Sequence, residues 1–247
     1  MIPAPTAALA GTLRFVRYAF MPNRLRYCGG DDNRTLFEYG LAGVSDGGLV
    51  PLLRRFTGAL PYLTLIARAN AIADSFDPRV VEAYWLGNEL LDRVEVRQLY
   101  DSLLERFGRQ LQGRTRLVVL GKAPAGARPH HSFHVLDVHS RVGELEHSLA
   151  TLDNCRVSWA RVLRPEASEL VVERQPLLLR AGKLALGDWR SERVARQVDG
   201  QSFVDDALHG DWVSLHWGWV CEVLTYQQRL NLERYTRHHL TLANATL

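Results

Sequence analysis

The sequence predicts an α+β protein: a mainly helical domain over residues 1–142, then a small β-barrel with a C-terminal helix over residues 143–247. Three observations carry this expectation. Apolar residues recur at helical spacing through the first half, the period switches to two from Cys155 onward, and a polar helix-like stretch (TYQQRLNLERYTRHHLTLA) closes the chain. The 247 residues are 47% hydrophobic and 23% charged, as in an ordinary globular protein, so a core forms without a disulfide or metal staple.

The elements follow in order. Thr12 to Phe20 is apolar and aromatic, with Pro22 and Gly29-Gly30 as breakers. Asp31-Asp32-Asn33 offers N-caps for a helix through Leu36, Phe37, Tyr39 and Leu41. Leu49, Leu52, Leu53 and Phe56 recur at helical spacing, as do Leu60, Leu63 and Ile66. Asp77-Pro78 opens another helix as N-cap and first-turn proline. Residues 95–111 form a further amphipathic helix, and KAPAGARP is a loop. HHSFHVLDVHSRV (residues 130–142) alternates and reads as a strand, with a short helix from Gly143 to Leu152 and the domain boundary near residues 143–154. Arg156–Val162, Leu170–Val172, Pro176–Leu179, Leu184–Leu186 and Val194–Val198 are strand candidates. Short strands at this spacing suggest a small barrel.

Composition excludes several functions. A formal charge of +3 is too small for a nucleic-acid binder. No apolar run reaches the roughly 20 residues that cross a bilayer, and the N-terminus lacks the basic start of a signal peptide. Cys28, Cys155 and Cys221 are odd in number, far apart and without CxxC spacing, so free thiols in a reducing cytoplasm are expected. GxxxxGK[ST], GxGxxG and HExxH are all absent.

GDWVSLHWGWVCEV (residues 210–223) reads as the last strand. Alternation puts Val213, Leu215, Trp217, Trp219, Cys221 and Val223 on an apolar core face, with Cys221 an inert thiol. His216 points away from that core, as a surface residue or as part of a site.

This run resembles the C-terminal strand and helix of the HypC/HupF family of [NiFe]-hydrogenase maturation chaperones. The positions that carry the likeness are Gly210, Asp211, Trp212, Val213, His216, Gly218 and Trp219. Cys155-Arg156-Val157 is similar to the family's opening cysteine and first strand. The resemblance covers roughly residues 153–245; the whole chain also resembles an uncharacterised bacterial family with an extra N-terminal helical domain. It implies an OB-like barrel that binds a HypD-like maturation protein or the hydrogenase large-subunit precursor. No permanent cofactor is implied, only transient iron carrying cyanide and carbon monoxide. Cys155 and His216 take the places of the family's functional pair, with Asp211 and Gly218 beside them. A thiolate suits low-spin iron, and an imidazole ligates or hydrogen-bonds next to it. Cys155 departs from the pattern: it is internal, without the free amine of the family's N-terminal cysteine.

The residues themselves leave alternatives open. His130, His131, His134 and His139 lie within ten residues, with His130, His134 and His139 as candidate ligands; His130 and His134 share a face either on a strand or at i,i+4 on a helix, and Asp137 is the only nearby carboxylate. That cluster suggests a metal-dependent enzyme, or a polar segment of a non-catalytic adaptor. Cys28 precedes Gly-Gly and a helix start, where a helix dipole lowers a thiol's pKa, or where it merely sits in a tight turn.

Overall fold

The computed structural model describes residues 9–142 and 148–247. Its first element, α1 (Gly11–Arg24), is buried on nearly every side: Phe15, Val16, Tyr18, Ala19 and Phe20 are at most 1% exposed. A helix apolar all round must run through a core, and α1 is packed against the helices around it and against the sheet. It does not stop at Pro22 but continues to Arg24. Pro22 has no N–H, so the carbonyl of Tyr18, four residues earlier, lacks its usual helical donor.

Helices α2 (Asn33–Ala42), α3 (Leu49–Leu53) and α4 (Leu60–Ala69) follow. Then comes α5 (Pro78–Trp85), started as expected by Asp77, whose Oδ1 accepts from the Arg79 amide at 2.9 Å, and by Pro78 in its first turn. A 3₁₀ turn (Glu89–Arg93) leads to α6 (Val96–Phe107) and α7 (Gly113–Gly121).

Residues 131–142 are helical, which corrects the expected strand. A short α-helix, α8 (His131–Phe133), runs into a π-turn (His134–His139) and then α9 (Ser140–Val142). Both sides of this segment are covered: His130, Phe133, Val135 and Asp137 are all 0% exposed. No single apolar stripe marks it in the sequence, and the π-turn upsets what periodicity is left. Residues 143–147, on which part of the Gly143–Leu152 helix and the expected boundary fall, lie outside the described residues. Beyond them α10 covers Leu149–Cys155.

The second half is built on a mixed sheet. Its strands are β1 (Ser158–Pro165), β2 (Glu169–Arg174), β5 (Arg190–Ala195), β8 (Trp212–His216) and β9 (Trp219–Val223), in the order β1-β2-β5-β9-β8, and β8 pairs back with β1 so that the sheet closes. The β5–β9 pair is parallel and the other pairs are antiparallel. Two hairpins are inserted: β3 (Leu177–Arg180) with β4 (Lys183–Leu186), and β6 (Gln197–Val198) with β7 (Gln201–Ser202). The closing helix α11 (Tyr226–Asn244) begins in a capping box: Thr225 Oγ1 accepts from the Gln228 amide and Gln228 Oε1 from the Thr225 amide.

GDWVSLHWGWVCEV is a hairpin rather than one strand. Trp217 and Gly218 turn it, both with left-handed φ (55° and 67°), the pattern of a type I′ turn. The faces therefore differ from those expected. Cross-strand partners share a face, so Trp219 lies beside His216, and Val220 beside Leu215. Val213, Leu215 and Val220 join Val162, Val172 and Val194 among the buried apolar residues of the sheet. Ser214, His216, Trp219 and Glu222 meet α1 instead. Tyr18 Oη donates to Glu222 Oε1 at 2.7 Å and lies 2.9 Å from Ser214 Oγ, and Phe20 packs edge-on to Trp219. One apolar cluster runs through both halves of the chain, from Leu13 to Tyr235.

Candidate metal pocket

Two backbone carbonyls and one helix end bring the site together. At the end of α10, the Asn154 carbonyl accepts from the Trp217 amide at 2.8 Å, and the Cys155 carbonyl accepts from His131 Nε2 at 2.9 Å. The same two residues thus tie the β8–β9 turn and the His131 helix together. Cys155, His131 and His216 result as a cluster whose ligand atoms all lie within 4.8 Å of one another. They line a cavity of about 80 Å³ whose walls include Ala19, Phe56, Tyr84 and Trp85.

His216 is 2% exposed, not on the surface. It does point away from Leu215, as alternation predicts, but the helical half covers that face. Its Nδ1 lies 2.7 Å from the Tyr18 carbonyl, which only accepts, so Nδ1 carries the proton. This is the carbonyl that Pro22 leaves without a helical donor. Nε2 keeps its lone pair and has no partner in hydrogen-bond geometry, with the Cys155 carbonyl close to the ring. An imidazole that donates from one nitrogen to a backbone carbonyl and leaves the other bare is oriented as metal-binding histidines are.

His131 donates from Nε2 to Cys155, so its Nδ1, 3.1 Å from Tyr84 Oη, accepts the tyrosine proton. A hydroxyl serves as donor or acceptor. If the Tyr84 hydroxyl turns to accept, the imidazole proton moves to Nδ1 and Nε2 becomes a ligand.

Burial keeps these groups neutral. It pushes His216 down to about 4, against the opposing pull of the Tyr18 and Cys155 carbonyls. Burial, with His216 and His134 nearby, holds His131 well below its ordinary value. Burial raises the Cys155 thiol to about 12, partly offset by the Trp217 indole. A point between three donors no more than 4.8 Å apart lies at most about 2.8 Å from each, against bonds of about 2.0–2.3 Å for imidazole and thiolate. A contraction of about half an ångström closes the set, so the residues fit a borderline or soft transition metal.

The other predicted residues separate. His134 and His139 line the same cavity, while His130 turns away: its Nδ1 lies 2.7 Å from Ser132 Oγ and its ring stacks on Tyr235. The expected His130/His134/His139 set is therefore not a ligand set. Asp137, the nearby carboxylate, pairs with Lys122. Asp211 accepts from the Leu208 amide at 2.8 Å and shapes the turn before β8, and Gly218 is the turn itself. Cys28 stands at the cavity mouth. It is exposed there, and α2 starts five residues on, too far for the helix dipole to act on the thiol. His131 belongs to the histidine cluster of the sequence, but nothing there pairs it with Cys155 and His216, which are 24 and 85 positions away with no local spacing to mark them.

Fold and pocket define an α+β protein with a buried thiol–imidazole cluster between its helical and β halves. The chain belongs to the family of unknown function DUF6390, whose model matches residues 7–247. No curated protein and no solved structure matches it.

Proposed function

We propose that this protein is a metal-handling accessory protein of the HypC/HupF kind, which holds iron bound for a [NiFe]-hydrogenase and passes it on by binding a HypD-like protein or the large-subunit precursor. One observation carries the reading. Cys155 and His216, the two positions singled out by the resemblance and 61 residues apart in the chain, line one pocket, with His131 as a third donor. The strand order of the closed sheet supports the OB-like, HypC-like barrel that the same resemblance implies.

In this reading the chain's residues bind and orient and turn over no substrate. Cys155 supplies a soft thiolate after losing its proton. His216 is aimed by the Tyr18 carbonyl, and His131 by Tyr84. The apolar walls exclude water, which strengthens the thiolate–metal contact. With three donors the metal keeps open positions for small ligands or for a group from the partner. Free thiols at all three cysteines accord with work in the reducing cytoplasm.

The test has two arms. Purified protein, reduced and without oxygen, is titrated with Fe(II), and the Cys155→Ala and His216→Ala variants are expected to lose stoichiometric binding. In a hydrogenase-producing host, the wild type is expected to co-purify with the large-subunit precursor or a HypD-like protein. Failure to bind metal sinks the site, and co-purification of neither partner sinks the hydrogenase assignment.

A further inference from the structure

Four imidazoles run in file from the mouth of the pocket to its interior. Ring centres are 5.8 Å apart from His139 to His134, 6.2 Å from His134 to His131 and 5.1 Å from His131 to His216. Burial increases along the file: His139 and His134 are half-buried, His131 is 5% exposed and His216 is 2% exposed. The outer two also line an open vestibule of about 660 Å³ that shares Cys28 and Gly58 with the inner cavity.

We propose that this file is the entry path of the metal, along which the ion passes from imidazole to imidazole to the His131/Cys155/His216 cluster. The proposal rests on that cluster being a metal site. An ion bridging two imidazoles at about 2.1 Å from each nitrogen spans ring centres up to about 6.4 Å apart, taking about 1.1 Å from nitrogen to ring centre. Every step of the file falls within that span. The ion therefore gains its next ligand before it loses the last. This matters most in the inner cavity, whose walls are largely aromatic and aliphatic and where a bare or partly hydrated cation meets a steep desolvation cost; the vestibule is more polar and carries Arg55 and Arg106, which the ion must pass.

Two further observations point the same way. His134 Nδ1 and His216 Nε2 are buried without hydrogen-bond partners, so no protein group competes with an ion for them. Burial, with Arg106 and His139 nearby, pushes His134 down to about 3, so the imidazole is neutral and has a lone pair. The π-turn gives the file its geometry. In an α-helix a step of five residues ends about 140° round from where it began, which would carry His139 away from His134. Bonding of the i→i+5 type brings the fifth residue back over the first, and the two rings sit together.

The experiment uses the full chain and Co(II) alone, with stopped-flow recording of the thiolate-to-cobalt charge-transfer absorption. His134→Gln and, as the variant at the more open end, His139→Ala are each expected to slow loading about tenfold, the cost of one lost ligand of about 1.4 kcal/mol in the barrier. Release to a chelator is expected to slow by the same factor, because a path acts in both directions. Wild-type binding with loading rates unchanged in both variants overturns the path and leaves the site standing. Absence of the absorption in the wild type, even after refolding with Co(II), overturns both.

Discussion

His216 Nδ1 donates to the carbonyl of Tyr18 at 2.7 Å across 198 positions of sequence, and Pro22 is what leaves that carbonyl in need of a donor. A helix defect in the first half thus aims a side chain in the second. Replacing Pro22 by alanine supplies a competing N–H. The Pro22→Ala protein is expected to be at least as stable as the wild type but to bind Co(II) about tenfold more weakly, the lower end for a lost outer-shell contact. Competition titration against a chromophoric chelator measures it, and an unchanged affinity would detach Pro22 from the site.

Metal binding should release protons. Cys155 is raised to about 12 by burial, so near neutral pH it is a thiol and must lose its proton to ligate, whereas His216 at about 4 is already neutral. About one proton per ion is expected, and affinity should rise about tenfold per pH unit. Calorimetric titration in buffers of different ionisation enthalpy counts the protons, and a count near zero would exclude Cys155 as a ligand.

Acid should destabilise the fold well above the carboxylate range. Burial, with His130 and His238 nearby, holds His239 far below its ordinary value, and burial holds His130 at about 3. In the unfolded chain both take up protons near pH 6.5, so the unfolded state binds more protons below that value. The stabilising contribution is complete above about pH 6.5 and is lost as pH falls toward the folded values, by up to about 1.4 kcal/mol per pH unit for each histidine. Urea melts of metal-free protein between pH 7.5 and 5 test this. A flat profile would contradict it.

Lys122 and Asp137 form an ion pair that is almost wholly buried (2% and 0% exposed), and the Lys122 ammonium also caps the Leu242 carbonyl of α11. Lys122→Met leaves Asp137 buried without its cation and is expected to cost about 3–5 kcal/mol. Adding Asp137→Leu should recover much of that loss. Denaturant melts of the single and double variants decide it; a double variant as unstable as the single one would show that the pair is not the cause.

Gly218→Ala should cost about 1–2 kcal/mol, the left-handed penalty for a residue with a Cβ. It should also weaken Co(II) binding, since the turn sets the position of His216. Loss of stability without loss of affinity would uncouple the turn from the pocket.

The parts of this fold legible in the sequence are those with local causes. Asp77-Pro78 and Thr225–Gln228 mark helix starts, and β1 to β4 and α11 fall near the expected segments because caps and alternation act over a few residues. The β8–β9 turn was hidden because Trp-Gly lacks the usual Asn-Gly or Asp-Gly signature and apolar residues run straight through it. The π-turn has no short-range pattern at all. Cys155 and His216 were reached through a resemblance, whereas His131 becomes visible only when α10, α8 and the β8–β9 turn are folded onto one another.

The π-turn couples chain length in residues 134–139 to the winding of the helix. It accommodates one residue more than the regular helix it interrupts. Straightening the segment at constant length would swing His139 about 140° away from His134, whereas deleting one residue between them would restore the i,i+4 spacing of a regular helix, about 40° apart and on one face. A gap of one residue in that stretch would mark a chain that has exchanged the π-turn for a regular helix and kept its two imidazoles together.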